Sequence, residues 1–158
     1  MVAAQEITLP PAQNSREAAQ IMIDLSEMEQ RVLAELEECW DQNVFTMLNT
    51  IIQPAGDAQE VAAFQQSLVG LVERDYIVMG LEAFHPREVE RFDKMASQEL
   101  LASLGDWFKF DAADPHWTLA KGDIKKERIP IILSTASGRQ KADEILRELG
   151  YQWWRHKK

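Results

Sequence analysis

From residue 26 onward the apolar positions recur at intervals of three and four. Met28, Val32, Leu33, Leu36, Cys39 and Trp40 fall on one face of a helix, and Glu27, Arg31, Glu35, Glu37 and Glu38 fall on the other. Ser26 and Glu29 have the S-x-x-E spacing of a capping box, in which each side chain meets an otherwise unpaired backbone N–H. Asp41-Gln42-Asn43 is the expected stop. A second, shorter helix is predicted over 44–53, with Val44, Phe45, Met47, Leu48, Ile51 and Ile52 apolar, and Pro54-Ala55-Gly56 breaks it. A third helix opens at Asp57, with Glu60 completing a D-x-x-E variant of the box. Its buried stripe is Val61, Phe64, Leu68, Leu71 and Val72, which leaves Gln59, Ala63, Gln66, Ser67, Gly70 and Arg74 facing outward. The β-rich run YIVMGL, 76–81, follows as a strand.

The pattern then changes. A helix is predicted over 86–104, with Pro86 in its first turn, Val89, Phe92, Met95, Ala96, Leu100, Leu101 and Leu104 on its face, and Gly105 at its end. A short extended piece over 107–110, a turn over 111–115, and strands over 117–120 and 129–133 come next, the strands joined by the loop KGDIKKER, 121–128. Pro130 has no N–H to give a sheet, which predicts an edge position or a bulge for the second of these strands. The last helix runs over 138–149, with Ala142, Ile145, Leu146 and Leu149 apolar and Gly150 closing it. Residues 1–14, with Pro10-Pro11, read as a flexible lead, 16–24 as a short helix, and 151–158 as an aromatic and then basic tail. The expected layout is one domain over 15–150 with an insert at about 82–115. Three helices of these lengths followed by a strand match the tri-helical core and first sheet strand of a winged helix. The predicted fold is therefore α+β, a mainly helical helix-turn-helix domain with a β-wing and an inserted helix.

Charge changes this picture more than composition does. The net charge is −9, but 121–158 holds ten Lys and Arg against five Asp and Glu, and the first 120 residues hold seven against twenty-one. An acidic body argues against unspecific polyanion binding, while the basic last quarter leaves room for one local anionic contact. No apolar run approaches the roughly 20 residues that span a bilayer. The start lacks the order of a signal peptide, and one cysteine, Cys39, forms no internal disulfide. The expectation is a cytoplasmic protein without membrane association.

No motif for catalysis stands out, and the expectation is a chain that is not an enzyme and takes no cofactor and no metal. Glu82 and His85 have E-x-x-H spacing, but the di-metal bundles that use it need two copies and two further Glu. His85, His116, His156 and Cys39 are too scattered for a zinc set. Cys39 and Trp40, on the apolar face of the first helix, are expected in the core. Trp107 and Trp117 flank the 111–115 turn, as packing residues or as the lining of a small pocket. Trp153 and Trp154 beside Arg155, Lys157 and Lys158 offer a partner contact or a base-stacking site, or they close the core.

Two blocks carry a family resemblance. The run DIKKERIPIILSTASGR, 123–139, resembles the wing of the MarR-like winged-helix regulators: an Asp, basic residues two and five positions on, a strand, then Thr-x-x-Gly-Arg leading into a helix. Asp123, Lys125, Arg128, Thr135, Gly138 and Arg139 stand at those places. SLVGLVERDYI, 67–77, is similar to the end of that family's recognition helix and its strand. The resemblance implies a homodimer on duplex DNA, with Gln59, Gln66 and Ser67 near base edges in a major groove. Lys121, Lys125, Lys126, Arg128 and Arg139 would then meet phosphates. The rival reading is a winged-helix adaptor that binds another protein and not DNA. It rests on the acids at both ends of the third helix (Asp57, Glu60, Glu73 and Asp75), on the insert, and on the lack of long terminal helices.

Overall fold

The computed structural model describes residues 24–156. The expected lead over 1–14 and, apart from Asp24, the expected helix over 16–24 lie outside these residues. The fold is α+β, with five α-helices and two antiparallel sheets among the described residues. Helix α1 (Glu27–Cys39) starts with the predicted reciprocal cap: the Ser26 hydroxyl accepts from Glu29 N at 3.0 Å and Glu29 Oε1 accepts from Ser26 N at 2.7 Å. The expected stop at 41–43 is a two-residue strand, β1 (Gln42–Asn43), and the Asn43 side chain accepts from Thr46 N to cap α2 (Val44–Ile51). Helix α3 (Ala58–Glu73) is capped by Asp57, which accepts from Gln59 N. Glu60 does not close a box on Asp57. Its carboxylate reaches further back, to the N–H groups of Ala55 and Gly56 at 3.0–3.1 Å.

Strand β2 (Ile77–Phe84) is longer than expected because its far half finds a partner that the sequence hides. The predicted helix over 86–104 is two elements. Its first part is strand β3 (Arg87–Arg91), which folds back on β2 from Gly80 opposite Arg91 to Phe84 opposite Arg87. Its second part is helix α4 (Lys94–Ala102), capped by Asp93 on Ala96 N. All five residues of β3 are exposed, so the strand shows no apolar alternation, and its Arg and Glu residues are good helix formers in isolation. Gly80 makes the pairing fit, since a side chain there would collide with the Glu90 carbonyl. A 3₁₀ turn (Leu104–Trp107) leads into the hairpin β4 (Phe108–Asp111) and β5 (His116–Leu119), which forms the smaller sheet.

Strand β6 (Ile129–Ser134) pairs with β2 on one side and with β1 on the other, so the main sheet has the order β1-β6-β2-β3. β6 is central rather than an edge strand. Pro130 is tolerated because β1 pairs only with Ile131 and Ile132, which leaves that flank of Pro130 without a ladder to break. Thr135 caps the last helix, α5 (Ala136–Leu149), on Gly138 N. Gly138 lies against the Tyr76 carbonyl at a distance no Cβ would allow. Tyr76 O also accepts from Thr135 N at 3.1 Å.

The core is where the three-helix unit meets the sheet. Leu33, Met47, Leu48, Ile51, Phe64, Leu68 and Leu71 of the helices pack with Ile77, Met79, Ile129, Ile132 and Ile145. Trp40 is not part of it. Its φ of 67° takes the chain out of α1 in a left-handed turn and leaves the indole 83% exposed. Cys39, in the last turn before it, is exposed as well.

Candidate interaction surface

Helix α3 has two long faces with different fates. Val61, Phe64, Leu68, Leu71 and Val72 are buried, as the spacing predicts. Gln59, Ala62, Ala63 and Gln66 are exposed and form a small, neutral strip with Asp57 and Glu73 beyond its ends. The inserted helix does not lie over that strip. Ser67 is the exception among the expected groove residues: it is only 7% exposed, and its hydroxyl donates to the Ala63 carbonyl at 2.9 Å. A hydroxyl one turn from its own acceptor closes back on the helix and is lost to an outside ligand. Beside it, Gly70 leaves room for the Glu29 carboxylate, so α1 and not solvent borders this edge of α3.

The inserted segment packs on the adjoining flank. Gln65 Nε2 donates to the Leu101 carbonyl of α4 at 2.6 Å, and Val61, Ala62 and Gln65 face Gly105, Phe108 and Trp117 across a shallow groove. Phe108 stacks tilted on Phe45 at 5.0 Å and edge-on to Phe64 at 6.3 Å. Trp117 is edge-on to Phe108 and Phe110. Its backbone is held from both sides by the Asn49 amide at 2.8 Å, and its indole Nε1 donates to Glu60 Oε1 at 3.0 Å. The other rim of the insert, Ser103, Asp106, Trp107 and Leu119, faces Lys121 and Glu127 of the 121–128 loop. Helix α3, the insert and the loop therefore follow one another across the surface, with the insert in the middle.

The loop is less basic than its sequence suggests. Lys121, Lys125, Lys126 and Arg128 are exposed. Arg128 Nη2 pairs with Glu90 of β3 at 2.5 Å, the Asp123 carboxylate accepts from Lys125 N, and Glu127 folds against Gly122. Arg139, exposed on the first turn of α5, lies past the opposite end of β6 from Arg128, and the six residues of that strand alone span about 17 Å. The structure gathers Gln59 with Gln66, and the loop cations with one another, but it does not join the two groups or bring Arg139 to the loop.

Residues outside this surface have local explanations. Glu82 and His85 are not on a helix; Glu82 is buried in β2 and pairs with Arg87 Nε at 2.8 Å across the hairpin. No group of three or more His, Cys, Asp or Glu among the described residues could hold a metal ion. No helix among them is long and apolar enough to cross a membrane. The Cys39 thiol is pushed up to about 11, first by desolvation and then by the adjacent Glu35 carboxylate, although the residue as a whole is exposed. Burial likewise raises Glu38 above the usual carboxylate range. Trp153 is half-buried and Trp154 buried, stacked edge-on at 4.8 Å. A regular helix or strand would turn one of them outward, but a 3₁₀ turn (Trp153–His156) after Gln152 at φ 45° lets both approach the core. Neither is freely presented, contrary to one expectation from the sequence.

No family model, no curated protein and no solved structure matches this chain.

Proposed function

We propose that the chain is a winged-helix interaction module whose α3 face docks on another protein. Support for the winged-helix reading comes from the element order α1-β1-α2-α3-β2 and from β6 lying between β1 and β2. That is the arrangement of a tri-helical unit closed by a three-stranded antiparallel sheet, here with β3 to β5 spliced in before the last strand. The observation that carries the functional reading is the insert between α3 and the 121–128 loop. A groove reader of the MarR-like kind uses its helix and its wing on one continuous stretch of duplex. Here α4 and the β4–β5 hairpin stand between them, and one of the four loop cations, Arg128, is paired with Glu90. Phosphate binding depends on releasing counterions by uncompensated Lys and Arg. The small side chains of Ala62 and Ala63, between Gln59 and Gln66, instead suit close approach of a protein surface, because alanine has no rotamer freedom to lose there.

The test is a photo-crosslinking residue placed at Ala63 or Lys125 in turn, in cells. Adducts to a discrete protein from Ala63, abolished by Ala62→Arg and absent from Lys125, support the proposal. Adducts to nucleic acid from Lys125 overturn it. One observation favours a second reading, a homodimeric regulator that binds duplex DNA: Gln59 and Gln66 are uncovered, so a groove could still reach them.

A further inference from the structure

We propose that the corner where the end of α1 meets the chain leaving α5 docks a basic segment of another protein, with a Lys or Arg cation of that segment stacked on the Trp40 indole. Six large apolar side chains are exposed among the described residues, and three of them, Trp40, Leu149 and Tyr151, belong to this corner. Helices α1 and α5 pack on each other, and the chain leaving α5 at Gly150 brings Tyr151 and Gln152 beside Glu38, in the last turn of α1. Trp40 follows that turn directly. Its backbone lies at φ 67° and ψ −164°, a region populated almost only by glycine, so any side chain there carries strain. Such strain persists where packing holds the side chain in place, but this indole is 83% exposed and has no packing to hold it. A glycine would make the same turn with less strain, so the fold does not account for a tryptophan at this position. An exposed Trp with a Tyr beside it suits stacked bases, a membrane interface or a cation. The surrounding charges decide between them. The same two chain ends carry Glu37, Asp41 and Glu148, none of them in a salt bridge among the described residues. Arg147 is paired with Asp143 at 2.7 Å, and Arg155 lies beside Glu38. These acids repel the phosphates of nucleic acid and of anionic lipid and attract Lys or Arg. Of the aromatic faces, indole holds a cation best. Leu149 and Tyr151 supply apolar cover for the residue beside that cation. The corner shares no residue with the α3 strip, and the proposal stands whatever that strip binds.

The experiment is a titration of the full chain, labelled with ¹⁵N, with the blocked peptide acetyl-Gly-Arg-Leu-Arg-Gly-amide. Acetyl-Gly-Glu-Leu-Glu-Gly-amide and a short oligothymidylate are titrated separately at matched ionic strength. The Trp40 indole N–H signal is identified by its loss in Trp40→Phe. Support is a saturable shift of that signal with the Arg peptide, with a dissociation constant on the order of millimolar, no shift with the Glu peptide, and binding weakened about five-fold in the Glu37→Gln/Asp41→Asn variant. Equal shifts with both peptides, no shift up to about 10 mM Arg peptide, or an unchanged constant in the charge variant overturns the proposal. A shift with the oligothymidylate overturns it in favour of base stacking. Thermal unfolding checks the strain independently: Trp40→Gly should melt about 2–4 °C above Trp40→Ala, since both lack the ring and only glycine suits the backbone. An equal or lower midpoint for Trp40→Gly removes the strain on which the proposal rests and overturns it as well.

Discussion

The bond from the Trp117 indole to Glu60 ties the insert to the start of α3, and its loss has a calculable effect. Trp117→Phe keeps an aromatic ring in a site that is 6% exposed but removes the Nε1 donor that reaches Glu60 at 3.0 Å. A hydrogen bond to a charged acceptor contributes about 1.5–3 kcal/mol, and the smaller ring adds a packing loss of about 1 kcal/mol. The single variant should therefore lose about 2.5–4 kcal/mol. Glu60→Ala removes the same bond and also the acceptor for Ala55 N and Gly56 N, so it should lose at least as much. The double variant distinguishes a direct tie from two separate losses. Urea unfolding of the four proteins should give a coupling of about 1–2 kcal/mol, since groups in contact do not add. A coupling under about 0.5 kcal/mol, the range seen for independent sites, would refute the claim that this bond anchors the insert on α3.

Four further outcomes are expected. Phe64→Ala, at a fully buried side chain touching Phe108, should cost about 3–5 kcal/mol by thermal or urea unfolding. Gly138→Ala should cost about 1–3 kcal/mol by the same measure, because the added carbon meets the Tyr76 backbone and not a side chain that can move aside. Trp40→Ala should change stability by less than about 0.5 kcal/mol, because the indole is already in water. Cys39 should alkylate slowly for an exposed thiol. With its pKa raised to about 11, the thiolate is about one in a thousand at pH 8, so the rate with iodoacetamide should keep rising up to about pH 11 and not level off near 9.

Much of the fold is legible in the sequence where the signal is local and periodic. The 26–40, 44–53 and 57–75 patterns find their helices because each has a cap residue, an apolar stripe and a breaker. The Thr-x-x-Gly-Arg motif marks the start of α5 because Thr135 caps it and Gly138 permits the Tyr76 contact. β3 is not legible, because an edge strand exposed along its whole length has no alternation, and its residues, taken alone, favour a helix. The direction of Trp40 depends on one backbone torsion that the helical pattern does not encode. Of the candidate surface, the outward set Gln59, Ala63 and Gln66 follows from spacing. Ser67 shares that face on a helical wheel, but its own hydroxyl and the packing of α1 withdraw it. The charge of the 121–128 loop follows from its own residues alone, whereas Glu90, which offsets Arg128, comes from a strand 38 residues earlier in the chain.

Binding to mixed-sequence duplex DNA as a function of salt tests the central claim most directly. If the insert separates α3 from the loop and Glu90 offsets Arg128, affinity at low salt should be no tighter than the roughly 10⁻⁴–10⁻⁶ M typical of non-specific contacts at physiological salt, and the Lys125/Lys126/Arg128→Ala variant should bind like the parent protein. Tight binding that falls steeply with rising salt, with a slope reduced in that variant, would contradict the account and restore the helix and loop as one DNA-reading surface.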